Sequence, residues 1–296
     1  MKGISWKTTL LTLLLVFIWG AVWPINKLAV AYSPPLLYAG LRTFIGGLLL
    51  GVIMWSNRSK MQLRKYWKMY LVSAIFNTVL FFGLHTFGLM YLPGGLFSVI
   101  VYIQPILLSL FAWLLLGEYF SGVRLLGLLL GFIGIFIASV DGLTTHISII
   151  GVSLALVTGL SWAIGVLYVK KASAVVNAYW MVVMQNIIGG FILLSAGTVF
   201  ESWRDIVWNA SLIFGVAYGV VFGVSIAYMI YYSLISAGEA SKVGVATFLV
   251  PIISVLISII FADEVFTYKL LGGMLLVGLS IVLVNAKFET VVKRGR

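Results

Sequence analysis

Long apolar stretches alternate with short polar connections along the whole chain. A helix needs about 20 predominantly apolar residues to cross the hydrocarbon core of a bilayer. Ten stretches meet that requirement, so each is predicted to form one transmembrane helix. Their approximate ranges are 9–31, 35–55, 69–90, 94–116, 122–140, 149–170, 178–199, 211–233, 241–262 and 268–286.

Residues of the first half recur in the second half in the same order. A first group returns 143 residues later: Trp19, Lys27 and Ile45-Gly46-Gly47 match Trp162, Lys170 and Ile188-Gly189-Gly190. A second group returns 146 residues later: Pro105-Ile106, Glu118, Leu125 and Gly127 match Pro251-Ile252, Glu264, Leu271 and Gly273. The chain is therefore predicted to contain two repeats, residues 1–143 and 144–296.

Each repeat holds five predicted helices, which is an odd number. The second repeat must then enter the bilayer from the opposite side, so the two repeats are inverted. Inverted repeats are a known construction of secondary transporters, with the binding site between the two halves. The predicted fold is an all-α integral membrane protein with ten transmembrane helices in two inverted five-helix repeats.

Composition excludes several classes of protein. Hydrophobic residues make up 62% of the chain and charged residues only 9%, whereas a soluble domain carries about 25% charged residues. The net charge of +11 comes from residues between apolar stretches, so it indicates membrane topology and not a nucleic-acid partner. Since there is no cysteine, disulfides and thiolate metal sites are excluded.

The distribution of basic residues predicts the orientation. With both termini in the cytoplasm, 15 of the 19 Lys and Arg residues fall at cytoplasmic ends, chiefly in the segment 56–68 and in the C-terminal tail. Such a bias follows the positive-inside rule. The first apolar run, which follows Lys2 and Lys7, is interpreted as an uncleaved helix because it has a counterpart inside the chain.

The order of several short motifs resembles a known family. In the first half these are Trp19-Gly20, Pro24, Lys27, Arg42, Gly88 to Gly95, Pro105, Leu116-Gly117-Glu118, Gly127 and Gly131-Phe132-Ile133-Gly134. In the second half they are Ser236-Ala237-Gly238-Glu239-Ala240, Pro251, Asp263-Glu264 and Gly272-Gly273. Over nearly its whole length the chain resembles the EamA-type branch of the drug/metabolite transporter superfamily. The resemblance implies an inner-membrane or plasma-membrane carrier, often an exporter of amino acids, related metabolites or toxic compounds.

Arg42 is the clearest candidate for substrate binding. An ionisable group within a span costs about 2.5–3.5 kcal/mol on insertion scales and is a functional hypothesis by default. A guanidinium can bind a substrate carboxylate through two hydrogen bonds. Alternatively Arg42 clamps backbone carbonyls or a helix end, and this structural role is the one we favour from the sequence. The equivalent residue in the second repeat is Gln185.

Other candidates for the cavity are polar or aromatic. His85, on the same helix as Asn77, is either part of a proton relay or a neutral packing residue. Aromatic rings at mid-membrane can line a cavity or simply pack, and buried amides need partners away from lipid. The full set of cavity candidates is Trp19, Asn26, Arg42, Asn77, His85, Tyr102, Gln104, Trp162, Tyr168, Gln185, Tyr228 and Tyr231.

Proline and glycine suggest where the helices bend and meet. Pro24, Pro105 and Pro251 each remove a helix hydrogen bond and are predicted hinges. Gly127 and Gly131 have the small-xxx-small spacing, which favours tight packing within the chain but also fits a homodimer seam. A monomer is expected, with a homodimer as the alternative. Glu118 and Glu264 are interpreted as helix-end devices or as gates.

Absent motifs narrow the function further. The first and sixth predicted helices contain no Asp or Glu, and the chain has neither a phosphate-binding loop nor a His-Glu-x-x-His motif. We therefore expect no cofactor, no bound metal and no enzymatic activity, and a channel is disfavoured because no filter-like segment repeats. The prediction is a secondary carrier in the cell membrane that exports amino acids or related small metabolites by alternating access. An importer or facilitator of another small metabolite and a drug efflux carrier remain alternatives.

Overall fold

The computed structural model describes residues 6–92, 94–116, 121–139, 148–236, 246–262 and 268–285. Within those ranges every regular element is a helix. Glu118, Glu264 and His146 lie outside the described residues.

The described part of the first half contains seven α-helices, a 3₁₀ helix over Trp55–Lys60 and a π-helix over Ile75–Leu80. The α-helices are α1 (Trp6–Val30), α2 (Pro35–Ile53), α3 (Leu63–Ala74), α4 (Phe81–Tyr91), α5 (Gly94–Val101), α6 (Gln104–Leu116) and α7 (Gly122–Ser139).

The described part of the second half repeats this order. Its α-helices are α8 (Ile149–Ala172), α9 (Ala178–Phe200), α10 (Ala210–Tyr218), α11 (Ala227–Ser236), α12 (Leu249–Ala262) and α13 (Tyr268–Asn285). A 3₁₀ helix covers Trp203–Asp205, and a π-helix covers Gly219–Ile226.

Six helical stretches in the described ranges are long and apolar enough to cross a membrane. They are Trp6–Val30, Pro35–Ile53, Leu63–Tyr91, Ile149–Ala172, Ala178–Phe200 and Ala210–Tyr231. Further apolar helices are shorter, among them Gln104–Leu115, Leu125–Ile137 and Leu271–Ser280. The protein is thus all-helical in its described part and has the multi-pass character that the sequence predicts.

Repeat-equivalent helices α2 and α9 pack against each other antiparallel. A Cβ added to Gly40 would lie 2.7 Å from the nitrogen of Leu194, and one added to Gly51 would lie 3.3 Å from Val183. Residues 40 and 183 are repeat equivalents, as are 51 and 194, so each contact is the image of the other. The two helices therefore cross about a pseudo-twofold axis, which passes midway between residues 45 and 46.

The last helices of the two halves meet in the same way. A Cβ on Gly134 of α7 would lie 3.0 Å from the nitrogen of Val277 in α13. A Cβ on Gly131 would lie 2.6 Å from the Ser280 hydroxyl. Under the 146-residue offset these two contacts are again images of each other. Glycine at both positions lets the helix backbones approach closely.

In each half a π-helix joins two α-helices at a matched place. The π-helix Ile75–Leu80 joins α3 and α4, and the π-helix Gly219–Ile226 joins α10 and α11. Gly165 packs on Asn77, and the image of this contact is Gly223 packing on Val22. With the 146-residue offset, the π-helix of the first half falls inside that of the second. A π-helix inside an α-helix is rare overall, but where one occurs it often lies at a functional site.

The fourth transmembrane helix predicted in the first half is broken into α5 and α6. Tyr102 and Ile103 form a turn between α5 and α6, and Pro105 is the second residue of α6. In the second half, Thr247 and Phe248 form a turn at the matched place before α12. There Pro251 is the third residue of the helix. Pro24 differs, because α1 continues through it; the hinge roles of all three prolines remain predictions.

Candidate functional site

Three helices bring four polar side chains together in one half of the membrane region. Asn26 lies on α1, Tyr38 and Arg42 lie on α2, and His85 lies on α4. The Tyr38 hydroxyl donates to Asn26 Oδ1 at 2.7 Å, and an Arg42 Nη nitrogen lies 3.4 Å from His85 Nδ1. All four are buried, with Arg42 only 1% exposed. We call this group the polar cluster.

Arg42 is held by rings and by a glycine. Its guanidinium lies 4.6 Å from the centre of the Phe82 ring and 5.5 Å from that of Tyr38. The aliphatic part of the side chain packs on Gly219, where a Cβ would be 3.1 Å from Arg42 Cδ. Within the described ranges no carboxylate pairs with Arg42. A buried cation without an acidic partner is costly unless another anion binds there.

The contact between Arg42 and His85 determines the hydrogen positions on the imidazole. A guanidinium only donates hydrogen bonds, so His85 Nδ1 must accept and Nε2 must carry the hydrogen. Nε2 is buried and has no hydrogen-bond partner. The same holds for Arg42 Nε and for the amide nitrogen of Asn26. The polar cluster therefore contains three unpartnered donors, an arrangement that favours an anionic ligand rich in acceptors.

The polar cluster is asymmetric about the pseudo-twofold axis. Arg42 lies three to four residues from that axis along α2, which is about 5 Å at 1.5 Å per residue. The repeat equivalents of Asn26, Tyr38, Arg42 and His85 are Val169, Met181, Gln185 and Tyr231. The second half thus has neither the charge nor the histidine at these positions.

Aromatic rings surround the polar cluster and continue past it. The Trp23 ring is 4.5 Å from the His85 ring, and the Phe97 ring stacks on His85 at 5.7 Å and lies 6.1 Å from Trp23. Trp162 contacts both Phe81 and Tyr102, at 5.2 and 5.7 Å.

The repeat equivalent of Trp162 also lies among aromatic rings. Trp19 is 6.2 Å from Tyr228 and 5.4 Å from Tyr231. Unlike the buried Trp23, Trp19 and Trp162 are partly exposed. The two repeat-equivalent tryptophans therefore each occupy an aromatic environment.

A second group of polar side chains lies around Gln185, which is the repeat equivalent of Arg42. Ser73 donates to Gln185 Oε1 at 2.6 Å, and Asn77 donates to the Ser73 hydroxyl at 3.3 Å. Two buried oxygens nearby in sequence, Thr78 Oγ1 and Asn186 Oδ1, have no partner. This group is neutral and partly satisfied by its own hydrogen bonds.

The remaining candidates lie elsewhere. Tyr168 packs against the apolar group around Tyr70 and Trp180. Gln104 is buried at the start of α6, beside the break between α5 and α6. Lys27 donates from Nζ to the carbonyl of Leu89 at the end of α4.

Sequence reasoning missed four residues that build the site, namely Trp23, Tyr38, Phe82 and Phe97. A signal was available for two of them. Tyr38 is four residues before Arg42, and Trp23 is four residues after Trp19, so each pair lies on one helix face. No comparable signal existed for the other two, because Phe82 and Phe97 reach the site from different helices.

The sequence matches a known family twice. The pattern of the EamA-like transporter family covers residues 6–140 and again residues 149–286. A Bacillus subtilis (strain 168) protein named "Uncharacterized transporter YvbV" is 47% identical, over 95% of this chain and 92% of its own length. The "Probable amino-acid metabolite efflux pump" of Escherichia coli (strain K12) is 25% identical, over 98% of this chain and 99% of its own length.

A solved crystal structure has the same fold. It covers 94% of this chain and 96% of its own chain, with a TM-score of 0.76 and 17% sequence identity.

Proposed function

This chain belongs to the EamA-like transporter family, and we propose that it is a secondary carrier that exports amino acids or related carboxylates across the cell membrane. The carrier consists of ten transmembrane helices in two inverted repeats and works by alternating access. The polar cluster binds the carboxylate of the substrate, with Arg42 as its main ligand. The surrounding rings contact the rest of the substrate.

The antiparallel pairing of repeat-equivalent helices supports the inverted arrangement. Both the α2–α9 pair and the α7–α13 pair have contacts that are images of each other. A pseudo-twofold axis between inverted halves allows the two halves to exchange conformations around a central site. The break between α5 and α6 before Pro105 has a turn before Pro251 at the matched place, and discontinuous helices are typical of substrate sites in such carriers.

The unpartnered donors of the polar cluster are the observation that carries the substrate class. A carboxylate has two oxygens and about four acceptor positions, so it can satisfy Arg42 Nε together with the amide of Asn26 or Nε2 of His85. It would also neutralise the buried guanidinium. The E. coli relative, named as an efflux pump for amino-acid metabolites, supports the same class and the outward direction.

Exposed charge and glycine packing support the proposed orientation and oligomeric state. Arg58 and Lys60 are exposed on the 3₁₀ helix after α2, which supports cytoplasmic termini under the positive-inside rule. Gly131 and Gly134 are covered by α13 of the same chain. Their use inside the chain supports a monomer over a dimer seam at these glycines.

The test is counterflow into proteoliposomes. Purified protein is reconstituted, the lumen is loaded with one unlabelled amino acid at a time, and uptake of the labelled amino acid is recorded. Each active amino acid is then compared with its amide, which lacks the carboxylate. We expect saturable exchange of the acid and at least a tenfold higher KM for the amide, since hydrogen bonds to charged groups contribute about 1.5–3 kcal/mol.

Two variants locate the binding group. Arg42→Gln removes the buried charge, whereas Lys60→Gln removes a charge from the exposed 3₁₀ helix as a matched control. Exchange should be lost in Arg42→Gln and kept in Lys60→Gln, with both proteins unfolding at temperatures near that of the wild type. Equal exchange of acid and amide, or full exchange in a folded Arg42→Gln protein, would contradict the proposal.

A further inference from the structure

We propose that His85 is the proton-binding residue of this carrier, and that a carboxylate and a proton cross the membrane together. The inference rests on the proposed function, because it takes Arg42 as the carboxylate ligand. It adds the coupling ion, a proton, and the residue that carries it.

The hydrogen bond between Arg42 and His85 occupies the nitrogen that would receive the proton. His85 Nδ1 accepts from Arg42 at 3.4 Å, while Nε2 already carries the hydrogen of the neutral ring. A proton can therefore bind only at Nδ1, and only after Arg42 has turned its donor towards another acceptor. A substrate carboxylate is such an acceptor. Substrate binding thus opens the proton site.

Charge makes the two binding events interdependent. Protonated without a substrate, His85 would be an imidazolium in direct contact with a guanidinium, in a buried site where like charges repel strongly. A bound carboxylate adds one negative charge between them and removes that penalty. Each ligand therefore increases the affinity for the other, as thermodynamic linkage requires.

No other group in the described part of the site substitutes for the carboxylate. The helices packed on α4 present Arg42 and Tyr38 from α2 and Lys27 from α1, none of which carries a carboxylate. The helix α8 presents the ring of Trp162 to Phe81, and the rings of Trp23 and Phe97 contact the imidazole from α1 and α5. Along α4 itself, Phe81 and Phe82 are the ring neighbours.

The binding site itself keeps one positive charge in both states. The empty site holds the single positive charge of Arg42. The loaded site gains the carboxylate at Arg42 and a proton at Nδ1 of His85, and these two charges cancel. An amino acid also brings its ammonium group, so each cycle with such a substrate moves one net positive charge. Release on the other side returns the proton to water and restores the hydrogen bond from Arg42 to His85. One proton accompanies each carboxylate, which is symport, and export then runs when the outward gradient of the substrate exceeds the inward gradient of the proton.

The experiment uses an amino acid that is active in counterflow. Proteoliposomes with a neutral lumen are diluted into medium that is one pH unit more acidic, with the membrane potential held at zero by valinomycin and equal potassium. With one proton per substrate, the labelled amino acid should accumulate about tenfold over its external concentration. A pH indicator in the lumen should report acidification that depends on the substrate.

His85→Gln separates the proton from the substrate. Glutamine can accept the hydrogen bond from Arg42 but cannot take up a proton, so any exchange that His85→Gln retains should proceed without accumulation and without lumen acidification. His146→Gln, which changes the only other histidine, should keep both counterflow and accumulation. Arg42→Gln should lose both.

Each outcome has a distinct meaning. Wild-type counterflow without accumulation or lumen acidification would overturn the proton coupling and leave the carrier proposal standing. Accumulation that persists in His85→Gln would assign the proton to another group and overturn the role of His85. Absence of wild-type counterflow would instead contradict the proposed function. If His85→Gln does not fold, the wild-type measurement still decides whether a proton moves with the substrate.

Discussion

Because α2 and α9 cross closely, we expect the stability of the protein to be strongly sensitive to a single added methyl group at the crossing. In Gly47→Ala the new Cβ would lie 2.8 Å from the backbone nitrogen of Ile187, whereas ordinary van der Waals contact begins at 3.4 Å. The obstacle is the backbone of a long helix, which cannot rotate away as a side chain can. The helices must therefore separate by about 0.6 Å, and such overpacking typically costs about 1–3 kcal/mol.

The assay is thermal unfolding followed by the intrinsic fluorescence of the ten tryptophans, in detergent and in lipid nanodiscs. Gly278→Ala in α13 is the matched control, because a Cβ there meets nothing within 4 Å. Alanine is a better helix former than glycine by up to about 1 kcal/mol. The control should therefore keep or raise the unfolding temperature, while Gly47→Ala should lower it by several degrees.

The pseudo-twofold axis extends the prediction to a second site. Gly190 is the repeat equivalent of Gly47, and its Cβ would clash with the backbone of Phe44 on α2. Gly190→Ala should lower the unfolding temperature as well. A Gly47→Ala protein that unfolds at or above the temperature of the Gly278→Ala control would refute the close approach of the two helices.

Three further variants test individual contacts. Ser73→Ala leaves the Gln185 carbonyl without its donor and should destabilise by about 1–3 kcal/mol in thermal unfolding, an effect that adding Gln185→Leu should partly reverse. Glu201→Ala removes the acceptor for two backbone N–H groups in the first turn of α2 and should destabilise by about 0.5–2 kcal/mol, with Glu201→Gln milder. Phe82→Leu removes the ring under Arg42 and should raise the KM for exchange. Because Phe82 is buried in the core, the variant should also unfold at a moderately lower temperature, and an unchanged KM would contradict a role for the ring.

Several features of this protein follow from one-dimensional patterns. Apolar length indicates the spans, and the recurrence of residues at fixed offsets indicates the repeats, because neither depends on which side chains meet. Family membership rests on the same linear order of motifs and is confirmed. Arg42 also stands out from the sequence alone, since a charge among apolar neighbours is costly wherever the helix packs.

The polar cluster could not be predicted from the sequence. Asn26, Arg42 and His85 come from three helices, and nothing in their spacing says that they meet on the same side of the pseudo-twofold axis. Only the packed helices bring a guanidinium nitrogen to 3.4 Å from an imidazole nitrogen and leave Nε2 of His85 without a partner. The sequence favoured a clamp on backbone carbonyls for Arg42, whereas the contacts found are rings and a histidine.

The amino-acid sequence alone determined that this protein is helical, lies in a membrane and is built twice, because hydrophobic length and repetition are properties of the chain itself. The tertiary structure decided which helices cross, which glycines lie against a neighbouring helix and which buried donors lack partners. Those features depend on the rotation and the depth of each helix against its neighbours. That rotation is set by contacts between residues far apart in the chain, such as Gly47 with Ile187, and no local pattern encodes it.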